Sequence, residues 1–489
     1  MSIDKTNRFI SILKSKIFRW SILVFCVMLS ITFTITSIIN HSYKKDIIKE
    51  SEELAVEIEQ FVAQRYGDLS TKKNAWAFFD GLSEMEDAFS GVIEDEEYHT
   101  LPLQAQRKRL MDLGVFKFCE DLAGLDDYDV IMPECFYPFD MAAFDQSLLG
   151  EKQLSLIKVK STVLFLRACA DWHFRNSEKE KGLALQERGF QFIRMLPTGS
   201  LLHNIIKIAC AEVLLGNVLE HFKEYSEDDL KILENEIALT SLINPLDYYS
   251  FWLFEAYTVY AFTVNEDVLR AIEEYNDDSS ILSWFWGNLI CELRLVAEAI
   301  TNYRKCHEIF RRNIPVGNYV KAGEELQTLV DELRKDSFYH GIARIGAHSL
   351  ALSMICSYEN DTRTLLALLS IKARLYWHQH QVYPVSFNDF VKDREYGHLR
   401  IAEDGRTIEF RGQKVGFIEK MSDGNEYSGD ESRKTHFALC ATPLVYGTTG
   451  ETSFITNETG IIYSSDRGES ISVTEWPADP EAACWVILE

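Results

Sequence analysis

Positive charge, clustered cysteine and catalytic motifs are all scarce in this sequence. Lys and Arg total 50 against 75 Asp and Glu, for a formal charge of −25. Duplex nucleic acid binding draws its affinity from phosphates neutralised by basic side chains, so no nucleic-acid partner is expected. Broad contact between the body of the protein and an anionic lipid surface is disfavoured for the same reason. A solvated acidic surface that maintains solubility accounts for the charge. The ten cysteines among 489 residues are too sparse for a disulfide-built scaffold. No CxxC or Cys/His knuckle sets a metal-binding spacing. Cys169, Cys210, Cys291 and Cys356 fall in apolar helical stretches and read as small packed hydrophobes. Cys119 with Cys135, and Cys440 with Cys484, are pairings left open for an oxidising compartment.

There is no Gly-x-Ser-x-Gly, His-Glu-x-x-His, P-loop or Rossmann glycine string. His378 and His380 share a helix, but two-residue spacing turns them to different faces, whereas paired helical ligands stand three or four apart. Asp171 and His173 have the same unsuitable spacing. Carboxylates are too abundant for any pair to stand out as an acid/base couple. Gly447-Thr448-Thr449-Gly450 reads as a turn between strands. The expectation is a chain with no metal, no cofactor and no assignable catalytic residue, with a non-enzymatic role preferred and enzyme activity left open.

What is present is apolar. Hydrophobic residues make up 46% and aromatics 12%, enough for a packed core. From Trp20 to Ile39 no residue is charged, and at about 1.5 Å per residue that run spans a hydrocarbon layer of about 30 Å. Lys5, Arg8, Lys14, Lys16 and Arg19 precede it, whereas the lysines after it mix with Asp46, Glu50, Glu52 and Glu53. Positive charge stays on the cytoplasmic side. The expected layout is a cytoplasmic stub over 1–19, an uncleaved transmembrane anchor over 20–40 and an extracytoplasmic remainder on the periplasmic side of an inner membrane. Thr34-Ile35-Thr36-Ser37 offers no small-residue cleavage site of the secretory kind.

The remainder divides by pattern. Residues 41–148 are a membrane-proximal helical and irregular region, with a one-faced stripe of Ile47, Leu54, Ile58 and Phe61 expected to pack on the body. Residues 149–342 form an irregular helical bundle without a fixed repeat period. In it, Ser226 ahead of Asp228 and Asp229 predicts a helix start. Residues 343–489 form a small α+β domain. A long helix over about 343–380 is predicted, with Leu350, Met354, Leu365, Leu368, Leu369 and Leu375 on one face and Tyr383-Pro384 as its stop. Strands are predicted over 399–402, 407–410, 415–418, 437–441, 453–456 and 461–463, with turns at Asp404-Gly405 and at 457–460. The fold class is thus mainly α with a C-terminal antiparallel sheet.

A long helix ending at an aromatic–Pro pair, then a small antiparallel sheet, resembles pilin and pseudopilin head domains. The segments His436–Gly450 and Ser453–Ile462 are similar to their closing strands. Leu365–Pro384 also resembles the final helix of uncharacterised, singly membrane-anchored bacterial envelope proteins. Pilins carry a Gly-aromatic processing motif before the apolar run, and this chain has none before Trp20. The resemblance implies an envelope protein with a structural or protein-interaction role and protein partners there. The alternatives are a component of a secretion or pilus-like assembly, and an extracytoplasmic hydrolase with an unrecognised site. No catalytic residue comes with the resemblance.

Overall fold

A computed structural model describes residues 52–68, 71–75, 100–122, 128–131, 154–196, 201–240, 242–244, 247, 252–254, 256, 292–335 and 341–487, together with Lys45 and Lys49. Among these residues no helix is long and apolar enough to cross a membrane. The Trp20–Ile39 run, Ile47, Cys135 and Cys291 lie outside them.

The chain is mainly helical, with an antiparallel sheet at its C-terminal end. Residues 52–66 are helical, and Leu54, Ile58 and Phe61 are buried, so the stripe read from sequence packs on the protein's own body. Phe61 meets the edge of Phe254 at 5.8 Å between ring centres. Two helices follow, α1 (Leu103–Asp112) and α2 (Val115–Asp121). Gly114 separates them at a φ of 79°, a left-handed conformation that glycine adopts without steric cost.

Next comes an antiparallel pair, α3 (Leu154–Arg175) and α4 (Lys179–Met195), followed by α5 (Leu201–Glu220) and α6 (Glu227–Thr240). Ser226 and Asp229 cap α6 reciprocally. The Ser226 backbone N–H donates to Asp229 Oδ2 at 2.7 Å, and the Asp229 N–H reaches back to Ser226 Oγ at 3.4 Å. α7 (Glu292–Asn313) and α8 (Tyr319–Lys335) form a second pair.

The long helix α9 (Gly341–His380) is the spine. It packs against α5 and α6, against α7 and α8, and against the sheet. The sequence suggests one apolar face. Instead every residue from 364 to 371 is buried, because the helix is covered on all sides. Each of its fully buried leucines contributes about 1.5–3 kcal/mol relative to exposure. The helix ends at His380, where the sequence places its end. Gln381 takes a left-handed φ of 59° and its N–H caps the Trp377 carbonyl at 2.7 Å. Tyr383 is then free to pack on Phe437, 4.8 Å between ring centres.

The sheet is a seven-stranded antiparallel meander in chain order. Its strands are β1 (Arg400–Ile401), β2 (Thr407–Phe410), β3 (Gln413–Phe417), β4 (Ala438–Pro443), β5 (Thr452–Asn457), β6 (Ile462–Asp466) and β7 (Val486–Ile487). The six predicted strands are all present, and β7 is additional. β4 is buried throughout, and its side chains alternate between two cores. Leu439 and Ala441 join the main core, which runs from Ala75 through α9 to Ile462. Ala438 and Cys440 face a smaller cluster with Ile418, Ile455, Val473 and Trp485, so the C-terminal segment covers the sheet's outer face. The two edge strands hold two residues each, which limits pairing with other chains.

Candidate functional sites

The residues singled out from sequence are dispersed. His380 is exposed, stacked on Tyr376 at 4.0 Å, with Nδ1 3.0 Å from the Tyr376 carbonyl. His378 lies edge-on to Trp377, and its basicity is lowered by burial and by Arg374. Gly447 and Gly450 close the β4–β5 turn, with the Gly447 N–H donating to the Gly450 carbonyl at 2.9 Å. Cys440 is buried in β4 and Cys484 is exposed, both as free thiols. Cys169, Cys210 and Cys306 are buried, but Cys356 is exposed on α9, against the expectation for an apolar stretch.

Asp171 and His173 do sit on different faces of α3, and each enters its own network. On one face, His221 Nε2 lies 2.9 Å from Asp171 Oδ1 and His221 Nδ1 lies 2.8 Å from Glu224 Oε1. The ring stacks on Phe174 at 4.1 Å. Tyr225 donates to Gln186 at 2.9 Å, Gln186 to Asn217 at 2.7 Å, and Asn217 to Asp171 Oδ1 at 2.6 Å. Burial alone would lower the basicity of His221, but the hydrogen bonds to Asp171 and Glu224 outweigh it and raise its pKa. When protonated, the ring donates from both nitrogens, one to each carboxylate. Asp171, Glu220 and His221 bring donor atoms within 4.8 Å of one another, in the manner of a metal site. Arg175 stands 3.9 Å from Asp171 and 3.6 Å from Glu220, and Arg167 stands 3.8 Å from Glu220. The carboxylates are thus matched by guanidinium groups.

On the other face, His173 Nδ1 lies 2.8 Å from Glu178 Oε2. Burial lowers its pKa against the opposing pull of Glu178, so at neutral pH the ring is neutral and Nδ1–H donates. The hydrogen bonds from Lys181 and His173 keep Glu178 acidic. A cavity of about 420 Å³ between α1, α2, α3 and α4 holds this pair. It is lined also by Arg107, Cys119, Cys169, Lys181 and Arg188. Cys169 and His173 are four residues apart on α3, hence on one face. The sequence search missed this grouping because its members come from four helices.

A second cavity, of about 460 Å³, lies where the helical body meets the sheet domain. Arg65, Lys207, Asp247, Glu395, Tyr396 and Arg411 are among its lining residues. Arg65 pairs with Asp247 at 3.3 Å. Burial lowers the Lys207 pKa to about 8, with Asp247 opposing and Arg65 and Arg194 reinforcing the shift. Arg411 pairs with the fully buried Asp361 and donates to the Ile243 carbonyl at 2.7 Å. The arrangement is a partly enclosed pocket with apolar walls in which Arg65, Lys207 and Arg411 stand with the acidic Asp247 and Glu395.

No protein-family model matches the chain, and no curated protein or solved structure is found to be similar to it.

Proposed function

We propose that the chain is a single-pass membrane protein of the cell envelope, with a cytoplasmic N-terminus and an extracytoplasmic bulk, and that its role is structural or one of protein interaction. The observation that carries this reading is the uncharged run Trp20–Ile39 behind five basic residues. Apolar length and a cationic flank are the features that set membrane insertion and orientation. The described body supports a binding role. Lys207 and Arg65 line the junction cavity, and Leu239 at its wall and Ile205 on the Lys207 helix remain exposed. Apolar groups beside a poorly solvated cation suit a protein partner that contributes a side-chain or terminal carboxylate.

Protease added to intact spheroplasts is expected to degrade the body and spare only the N-terminal stub. A body that survives until the membrane is lysed overturns the orientation. Membership of a secretion or pilus-like assembly is the second reading, favoured by the packing of α9 against β4, β5 and β6. In-cell crosslinking from the sheet domain that recovers only secretion-machinery components favours that reading over a general envelope role.

A further inference from the structure

The four-helix cavity is a cationic spot in a chain whose formal charge is −25. It is lined by Arg107, Lys181 and Arg188 against Glu120 and Glu178, and Glu178 is already engaged. Glu178 accepts from Lys181 at 2.9 Å, from Asn176 at 3.0 Å and from His173 at 2.8 Å. Arg188 donates to the neutral amide of Gln191 at 2.7 Å. Arg107 is held by rings and not by a carboxylate. Its guanidinium carbon stands 4.7 Å from the centre of the Trp172 ring and 5.9 Å from that of Phe116, and among the described residues it makes no ion pair. A guanidinium stacked on an aromatic face keeps its N–H edge for other partners, and that edge matches a carboxylate bidentately. Met111, Phe116, Ala184 and Leu185 supply apolar wall. The rings of Phe116, Trp172 and His173 meet edge to face, 5.0 to 5.8 Å between centres. The volume of about 420 Å³ falls in the range of about 300–1,000 Å³ typical of small-molecule pockets.

We propose that this cavity is a binding site for a small aromatic monocarboxylate. The carboxylate pairs with the Arg107 guanidinium, and the ring packs on Phe116 and His173 among Met111, Ala184 and Leu185. Binding breaks no existing ion pair, because Lys181 stays on Glu178 and Arg107 has no carboxylate to give up. A flat ring extends the edge-to-face cluster already present, and it loses less rotational freedom on binding than an alkyl chain of the same bulk. The charge of the ligand is set by the same wall. One negative charge offsets the cationic excess, whereas a second would stand near Glu120 and Glu178 and be repelled. The site is separate from the junction cavity, so it adds a small-molecule ligand to a protein-interaction role without depending on it.

Whichever side of a membrane the body occupies, the cavity keeps these walls. The test is therefore made on the full-length chain purified in detergent, and its failure leaves the topology reading untouched. Phenylbutyrate, its neutral amide and heptanoate are each titrated calorimetrically, with detergent alone as the blank. Phenylbutyrate should bind, and the amide should bind at least about tenfold more weakly. Heptanoate, an aliphatic acid of similar hydrophobicity, should also be the weaker ligand. The place of binding is read at Met111, which lines the cavity and is 53% exposed. Peroxide converts such a thioether to the sulfoxide. Phenylbutyrate should slow that conversion several-fold at Met111 and not at Met421, as mapped by peptide mass spectrometry. Arg107→Gln should weaken phenylbutyrate by about tenfold and affect the amide much less. Ala184→Trp, at an exposed position of the wall, should fill the cavity and abolish the protection of Met111 with every charge in place. No binding to the wild type, or binding without protection of Met111, overturns the site. Equal affinity for acid and amide overturns the carboxylate, and heptanoate binding as tightly as phenylbutyrate overturns the aromatic ring. These wild-type comparisons need no variant to fold.

Discussion

Arg411 and Asp361 form an ion pair from which water is excluded, the carboxylate being fully buried and the guanidinium nearly so. The pair joins the β2–β3 turn to α9, and a third segment completes it. The Ile243 N–H donates to Asp361 Oδ1 at 2.9 Å, and the Ile243 carbonyl accepts from Arg411 at 2.7 Å. Removing one partner of such a pair leaves a charge buried without compensation, at a cost of about 3–5 kcal/mol. Asp361→Ala and Arg411→Ala should each lower the urea midpoint of unfolding by an amount of that order. Removing both should cost less than the sum of the two single changes, because neither charge is then stranded.

The His221 network makes stability depend on pH in a definite direction. The folded-state pKa is raised above the ordinary value of about 6.5. The stabilisation is therefore complete below about pH 6.5 and is lost as pH rises through the folded pKa. The groups facing the ring are Asp171 and Arg175 from α3, Glu220 from α5, and Glu224 beyond it. Thermal unfolding midpoints measured between about pH 5 and 9 should fall on the alkaline side for the wild type. His221→Gln should start lower and show a flatter profile over that interval. A slope unchanged by the substitution would assign the effect elsewhere.

Close packing of α3 on α4 decides the next outcome. A Cβ added at Gly182 would stand 2.7 Å from the Phe174 ring, a rigid neighbour that itself stacks on His221. Helix propensity favours Gly→Ala by about 1 kcal/mol, whereas overpacking a filled core costs about 1–3 kcal/mol. Gly182→Ala should be net destabilising. At Gly189 the contact is the tip of Leu214, at 2.6 Å, which has rotamers to move into. Gly189→Ala should cost less than Gly182→Ala in the same denaturation assay.

These relationships were unequally visible in the sequence. Periodicity and turn chemistry located the helical region over 149–342, the start of α6, the long helix α9 and six strands, because hydrophobic patterning and residues such as Asp404-Gly405 act locally. β7 holds two residues, too few for a pattern. The β2–β3 hairpin turns on Arg411-Gly412, with φ of 48° and 82°. Both residues are left-handed, as in a two-residue hairpin turn, but arginine is an unusual first member and gives no signal. Two-residue spacing on a helix does turn Asp171 and His173 to different faces of α3. Their partners are not legible there, since His221, Asn217 and Arg107 belong to other elements. Cys119 lies near Cys135 in sequence, whereas in the fold it lines one cavity with Cys169, and proximity across helices leaves no mark in a single chain.

Lys207 provides the sharpest probe of the junction cavity. Its pKa, lowered to about 8 by burial, lies below the value of about 10.4 expected for the unfolded chain. Between those values the unfolded state binds more protons, so stability rises with pH there and the lysine is a cost at lower pH. Lys207→Met should stabilise the protein at about pH 6–7, and the gain should vanish by about pH 11. The neutral fraction of the amine near pH 8 should also make Lys207 among the fastest lysines to be reductively methylated, as mapped by peptide mass spectrometry. A carboxylate that enters the cavity raises the amine's pKa and slows the labelling. Protection of Lys207 by short peptides with acidic ends, and not by their amidated counterparts, would identify the carboxylate as the recognised group. Equal protection by both would attribute binding to the apolar wall around Leu239.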